Sequence, residues 1–337
     1  MLIYTLIAFS AVQNVYAQKS NDFRVLFWNV ENLFDCNNDS LKEDDEFLPA
    51  SIRVWHYGRY KKKLRDVAKV ICAAGGWRPP ALIGMCEIEN DTVMRDLTRY
   101  SPLKELGYRY VMTCSPDQRG IDVALLYQRD RFRLLTYHSI RVSHPALKYR
   151  PTRDILHVTG LIATGDSIDV FVCHFPSRSQ GVRETNPYRK YVAEKLRSYI
   201  DSLSRHRIIP RILIMGDLNM YKHDRILKET LRIQEVAGKP DMYKLYWPPE
   251  DTARKSPQGT YKYKGKWEKI DHLIVSGALL DRSLDFRIQA SGIIDFPFLL
   301  NEDEKYGGSQ PYRTYYGMKY QGGISDHLPV YADFKTE

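Results

Sequence analysis

Ile212-Leu213-Ile214-Met215-Gly216-Asp217-Leu218-Asn219 is a short apolar run that ends in a glycine, a carboxylate and, two residues on, an amide. An apolar run of this length reads as a buried strand, and an ionisable group at its end is costly to bury unless it has a partner or a task. In extended chain, positions i and i+2 point to the same side, so Asp217 and Asn219 can reach one ligand. An Asx turn favoured by Gly216 would account for the pair taken alone. The pattern repeats, however. Trp28-Asn29-Val30, Glu87, His174, Asp271-His272 and Ser325-Asp326-His327 each adjoin a short apolar run of the same kind. Polar and ionisable residues placed repeatedly at strand ends describe one site assembled from many strands. Their types are carboxylate, amide and imidazole, without cysteine. That is the donor set for a hard divalent cation such as Mg²⁺, together with a proton-transfer pair.

Strand-like apolar runs recur at Phe23–Trp28, Ala81–Cys86, Tyr108–Thr113, Ile121–Tyr127, Leu156–Ala163, Ile168–Cys173, Ile208–Met215, His272–Val275 and Leu328–Phe334. Helical periodicity occurs in two places. Leu64, Val67, Ala68 and Ile71 follow the i, i+3, i+4, i+7 rule; Tyr188, Val192, Leu196, Tyr199 and Leu203 form a stripe opposite Arg189, Lys190, Glu194 and Arg197. Between residues 108 and 175 strand follows strand with no helix, which argues against a doubly wound parallel sheet. The pattern predicts an α/β protein of largely antiparallel sheets packed face to face, with helices outside. The polar stretches Asn37–Asp45, Trp247–Gln258 and Asn301–Gln321 read as surface loops, and no repeat or Pro/Gly-rich linker divides residues 18–337. One domain is expected there.

The 337 residues are 43% hydrophobic and 27% charged, with a mean hydropathy of -0.44. This is ample material for a globular core. A net charge of +9 and a pI near 9.1 suit polyanionic partners: nucleic acid, an anionic surface or phosphorylated small molecules. Residues 1–17 carry no charge, run apolar from Leu2 to Val12 and end in Val15-Tyr16-Ala17 before the polar Gln18-Lys19-Ser20. They read as a secretory signal peptide that lacks the usual basic start. No other apolar stretch is long enough to span a bilayer. The mature chain is expected to be exported, periplasmic or secreted, monomeric and without stable membrane insertion. Five cysteines without a C-x-x-C exclude a disulfide framework or a zinc ribbon. Cys72, Cys86 and Cys173 lie in apolar runs and are expected in the core; a Cys36–Cys114 disulfide is left open.

Taken in order, Trp28-Asn29-Val30-Glu31-Asn32, Glu87 after Ile83-Gly84-Met85-Cys86, Gly120-Ile121-Asp122-Val123-Ala124, His174, Gly216-Asp217-Leu218-Asn219, Asp271-His272 and Ser325-Asp326-His327 resemble the endonuclease/exonuclease/phosphatase superfamily. The resemblance spans residues 23 to 334. Each motif alone is weak, whereas the ordered set is specific. The resemblance implies a four-layered α/β sandwich of two mainly antiparallel sheets flanked by helices. It also implies Mg²⁺-dependent attack of water on a phosphoester, with Mn²⁺ able to substitute. Carried over residue by residue, it makes Glu87 the main metal ligand, with Asn29 and Asp326 beside it. Asp217 orients or deprotonates the water, and Asn219 donates to the developing charge. His174 and His327 contact the phosphate, and Asp271 holds His327.

Asp326 and His327 are adjacent, so in extended chain they face opposite sides and serve separate roles. His272 follows Asp271 directly and is read as structural. Arg178 and Arg183, close after His174, are candidate phosphate clamps. The segment Gly259–Lys269 interleaves Tyr261, Tyr263 and Trp267 with Lys262, Lys264 and Lys269, as base stacking with backbone charge would require, although an edge strand with solvated lysines fits equally. Tyr60-Lys61-Lys62-Lys63 opens an amphipathic helix and reads as a solvated face. No counterpart of the tyrosine and basic residues of abasic-site nucleases is found between Leu103 and Leu126, which argues against base-excision repair. The expected function is an exported nuclease acting on DNA or RNA. The alternatives are a sphingomyelinase-like phospholipid phosphodiesterase, for which the apolar loop Ile293–Leu300 would dip into a membrane, although packing on the core fits that loop equally; an inositol or sugar phosphatase; and a catalytically inactive binding module.

Overall fold

The computed structural model describes residues 23–143, 151–179, 181–252 and 259–336. The expected signal peptide at 1–17 and the end of the expected 247–258 loop lie outside the described residues. The elements are β1 (Phe23–Leu33), α1 (Tyr57–Gly75), β2 (Leu82–Ile88), α2 (Asp91–Arg99), β3 (Arg109–Met112), β4 (Asp122–Tyr127), β5 (Phe132–Ile140) and β6 (Ile155–Ile162). They continue with β7 (Ser167–His174), α3 (Val182–Ser204), β8 (Ile212–Asp217), β9 (Ile233–Gln234), β10 (Leu245–Tyr246), β11 (Tyr261–Tyr263), β12 (Lys266–Glu268) and β13 (Asp271–Ser276). The last are β14 (Phe286–Ile293), β15 (Leu300–Glu302), β16 (Ser309–Pro311), β17 (Tyr315–Tyr316), β18 (Lys319–Tyr320) and β19 (Val330–Thr336).

Two mixed sheets dominate, in the orders β14-β19-β1-β2-β4-β3 and β5-β6-β7-β8-β13-β10-β9. Strand alternation stacks them. Val170, Val172, Leu213 and Met215 belong to the core shared with the first sheet, whereas Phe171, Cys173, Ile212 and Ile214 face Val192, Ala193, Leu196 and Ile200 of α3. On the other side, Leu64, Val67 and Ile71 of α1 and Val93, Met94 and Leu97 of α2 join the core of the first sheet. The layers are therefore helices, sheet, sheet, helix. This is the α/β sandwich that the motif resemblance implies.

All nine apolar runs become strands and both periodic stretches become helices. Two larger strands carried no clear signal. β5 is almost wholly exposed except at its ends, and pairing with β6 rather than an apolar face makes it a strand. β14 pairs with β19 through a bulge between Ile288 and Ala290. Two readings are corrected, and one left open is decided. Cys72 is exposed on α1, and all five cysteines are free. Lys63, expected on a solvated face, is 2% exposed, because its Nζ donates to Glu31 O at 2.8 Å and to Thr314 Oγ1. The stretch Ile293–Leu300 does not form an apolar loop: Ile293, Ile294 and Leu299 are buried in the core, and Phe296 and Phe298 stack on each other at 5.3 Å.

The topology also places the motifs. β1 and β2 are parallel, with Asn29 opposite Cys86. β7 and β8 are parallel, with His174 opposite Asp217. Antiparallel β13 begins at that same end, with Asp271 opposite Asp217. β19 also begins there, three residues after His327. Six motifs scattered from residue 29 to 327 thus meet at one rim of the sandwich.

Candidate active site

Strand β8 delivers Asp217 through a very close approach: a Cβ on Gly216 would lie 2.6 Å from Cys173 O, so only glycine lets β7 and β8 pair at this point. Asp217 is buried. Its Oδ1 accepts from Asn219 N at 3.0 Å. Its Oδ2 lies 3.2 Å from Asn29 Nδ2, 3.7 Å from His174 Nε2 and 3.9 Å from His327 Nε2. One carboxylate oxygen thus sits at the centre of three nitrogen donors. Burial, reinforced by the charge of Asp271 and opposed by His327 and the hydrogen bonds from Asn219 and Asn29, pushes its pKa from 3.8 up to about 7.

His327 is held from behind. Its Nδ1 is 2.8 Å from Asp271 Oδ2, and Thr260 Oγ1 donates to that same oxygen at 2.5 Å. The backbone is pinned as well: Trp28 Nε1 donates to His327 O at 2.9 Å, and His327 N donates to Ser325 Oγ at 3.0 Å. Burial alone would keep the imidazole neutral, but Asp271, with Asp326 and Asp217 beyond it, overrides burial and raises its pKa well above the histidine value. His174 goes the other way. Burial first, then the charges of Arg153, Arg119 and His327, hold its pKa well below that value, so it is a neutral imidazole. The two imidazoles are therefore driven in opposite directions from the ordinary histidine value, while the Asp217 carboxyl rises to about 7.

Glu87 forms the opposite wall. Its Oε1 faces Asn29 Nδ2 at 3.4 Å and His174 Nε2 at 4.0 Å, and its Oε2 accepts from Asn32 N at 2.8 Å. Glu31, Asn32, Glu87 and Asn219 are four of the seven non-glycine residues with positive φ among the described residues. Strained backbone of this kind persists where surrounding structure enforces it, and it gathers at functional sites.

A divalent cation fits the donor chemistry here. Glu87 offers a carboxylate at the rim, and the nearest cation to it, Arg119, stands off at 3.9 Å from Oε2. Asp217, Asp271 and His327 also bring one ligand atom each within 4.8 Å of one another. His327 Nδ1 is committed to Asp271, however, so that trio is built for proton transfer, and Glu87 is the better anchor for a hard ion. Two expected ligands are placed differently. Asn29 Oδ1 accepts from Glu31 N at 3.0 Å, which turns its amide nitrogen toward the Glu87 and Asp217 carboxylates. Asp326 Oδ2 is paired with Arg313 Nη2 at 2.6 Å.

The two arginines expected to clamp phosphate are not free in the cluster. Arg178 is ion-paired with Glu268 and lies over the Tyr221 ring at 4.6 Å. Arg183 is exposed in the first turn of α3. Lys262 and Lys269 are likewise engaged, with Asp303 and Glu250 at 2.7 Å each. His272 is structural, as its position after Asp271 predicts, with Nε2 2.8 Å from Met220 O. Sequence reasoning missed Arg119, which donates to Asn32 Oδ1 at 2.6 Å; of the aromatics it singled out in Gly259–Lys269, Tyr261 places its ring 4.9 Å from that of His327. Arg119 directly precedes the Gly120-Ile121-Asp122 motif, which was its only signal.

Comparison with known proteins gives the family. The model of the Endonuclease/Exonuclease/phosphatase family matches residues 24–336, and the chain belongs to that family. It is accordingly a phosphoric ester hydrolase of the metal-dependent type. No curated protein matches it. Among solved structures it is similar to an endonuclease/exonuclease/phosphatase family protein from Bacteroides thetaiotaomicron, at 16% identity and TM-score 0.58, covering 94% of this chain and 98% of that one. It is similar to D. rerio TDP2 complexed with a single-strand DNA product, at 12% identity and TM-score 0.55, covering 93% and 99%. A mannosyl-6-phosphatase from Bacteroides thetaiotaomicron matches at 14% identity and TM-score 0.55, covering 93% and 99%. Likenesses at this identity carry the fold and not the substrate.

Proposed function

We propose that the chain is an exported Mg²⁺-dependent nuclease that hydrolyses phosphodiesters of DNA or RNA by direct attack of water. The observation that carries the hydrolytic reading is the buried Asp217 oxygen set among Asn29, His174 and His327. Asp217 takes the proton of the attacking water. His327, charged through Asp271, donates from Nε2 to a phosphoryl oxygen, and neutral His174 adds a second donor. Asn219 keeps one amide N–H for the same oxygens, since the other donates to Phe175 O at 3.2 Å. Glu87 would hold the cation, which when bound would supply Lewis-acid polarisation of the phosphate.

Three features favour nucleic acid: the net charge of +9, Arg119 beside Glu87 with 47% of its side chain exposed, and Tyr261 against the His327 ring. Together they offer cation and stacking surface at the scissile phosphate. Lipid as substrate loses its main argument with Ile293–Leu300 packed into the core. Residues 1–17 are proposed as the export signal, with one monomeric catalytic domain over 18–337 and delivery to the periplasm or medium. Among the described residues no helix is long and apolar enough to cross a membrane.

The test is a panel of plasmid DNA, RNA, sphingomyelin and sugar phosphomonoesters with Mg²⁺, each at low and high salt. Nucleic-acid cleavage that weakens steeply with salt is expected, because phosphate contacts release counterions. Turnover confined to phosphomonoesters or lipid overturns the nuclease reading.

A further inference from the structure

A second cluster of titratable side chains lies on the outer face of the seven-stranded sheet, and catalysis does not use it. His138 on β5 and His157 on β6 are direct cross-strand partners, and Tyr199 of α3 reaches both. His157 Nδ1 lies 3.4 Å from His138 Nε2 and 3.3 Å from Tyr199 Oη, and His138 Nε2 contacts the same hydroxyl. The other His157 nitrogen, Nε2, is 3.0 Å from Asp169 Oδ1. Asp169 also accepts from Thr159 Oγ1 at 2.6 Å and from Arg207 at 2.7 and 3.0 Å. A carboxylate so surrounded only accepts hydrogen bonds. The His157 proton therefore sits on Nε2, and Nδ1 presents a lone pair to His138 and Tyr199. Phe171, stacked on the His157 ring at 4.6 Å and 17°, fixes its plane.

We propose that His138 Nε2, His157 Nδ1 and Tyr199 Oη form a binding site for a transition-metal dication of the zinc class. A tetrahedral ion with bonds of about 2.0–2.1 Å holds its ligand atoms about 3.3 Å apart; the spacing of His157 Nδ1 from both neighbours matches this, whereas His138 Nε2 and Tyr199 Oη are in hydrogen-bond contact and must separate as the ion enters. A metal-ligating histidine typically gives its other N–H to a carboxylate, which fixes the tautomer and raises ligand basicity. Asp169 stands in that position behind His157. Imidazole donors suit zinc, copper or nickel, whereas Mg²⁺ takes oxygen, so the cluster selects a different ion from the catalytic rim. His138 is exposed on an edge strand, which leaves the remaining coordination position toward solvent. The bound ion would clip β5 and β6 to α3, and its entry displaces the protons shared within the cluster.

The experiment titrates Zn²⁺ alone into the metal-free full-length chain by calorimetry, and records the visible spectrum with Co²⁺. Wild type is expected to bind one more Zn²⁺ than His138→Ala, or to bind that equivalent at least 10-fold more tightly. It is also expected to give the strong absorption of tetrahedral Co²⁺, lost in His138→Ala. Tyr199→Phe should weaken the same equivalent. Because His138 is exposed and outside the catalytic cluster, His138→Ala should keep its fold and its Mg²⁺-dependent hydrolysis. Equal Zn²⁺ stoichiometry and affinity in wild type and His138→Ala, or octahedral Co²⁺ only, would mean a hydrogen-bond chain and nothing more, and would overturn the proposal.

Discussion

Replacing Asp217 by Asn separates what this carboxylate does for chemistry from what it costs the fold. Asp217 is 2% exposed, and burial followed by the charge of Asp271 lifts its pKa from 3.8 to about 7. At 1.36 kcal/mol per pH unit, that rise corresponds to roughly 4 kcal/mol between the two protonation states. The folded protein binds this proton more tightly than the unfolded chain. Stability is therefore full below about pH 4 and drains away as pH rises toward 7, where the carboxylate ionises in the fold. An amide of the same size stays neutral throughout. Losing the attraction between the carboxylate and charged His327 trims the benefit, so metal-free Asp217→Asn should exceed wild type by about 2–4 kcal/mol at pH 8 and by less at pH 5. Activity should fall by about 10²–10⁴-fold, the range for a removed general base, or about 3–5 kcal/mol in the barrier. Urea unfolding in EDTA at both pH values, paired with kcat/KM in Mg²⁺, reads both quantities. A variant within tenfold of wild-type activity, or one less stable than wild type at pH 8, would refute the reasoning.

Glu87→Gln should lose most Mg²⁺-dependent activity while its melting temperature in EDTA stays close to wild type, since Glu87 lies at the rim and not in the core; full activity in that variant would remove Glu87 as the metal anchor. At saturating Mg²⁺, kcat/KM should rise with pH through one limb below about 7 that belongs to Asp217, and His174→Gln, though slower, should keep that limb; its disappearance would show that His174 titrates instead. Burial works against the Asp169 charge, but hydrogen bonds from His157, Arg207 and Thr159 overcome it and lower its pKa from 3.8 to about 2. Wild type should therefore be more stable than Asp169→Asn by roughly 2 kcal/mol at neutral pH, a margin that is lost as pH falls from about 4 through 2; a margin independent of pH would count against the ion pair. A Cβ at Gly160 would meet the Phe132 ring at 2.1 Å, so Gly160→Ala should cost about 1–3 kcal/mol in denaturant unfolding.

Local sequence determined the strands and much of the chemistry, because both are short-range. Apolar runs bury themselves whatever they face, and a carboxylate or imidazole at the end of such a run announces a use for it. Other features depend on partners far away in sequence. β5 has an exposed, polar pattern, and only pairing with β6 makes it a strand. Lys63 reads as a surface lysine until Glu31 and Thr314, 32 and 251 residues away, close over it. Arg178 looks free until Glu268, 90 residues on, takes its charge. Protonation belongs to the same class. His174 and His327 are the same residue type and both are buried, yet burial, reinforced by Arg153 and Arg119, lowers the pKa of the first, while Asp271 behind the second overrides burial and raises it. Coulomb energy and desolvation depend on distance in space, so the residue types could be read from the chain, while their charges and their partners were decided by the packing of two sheets.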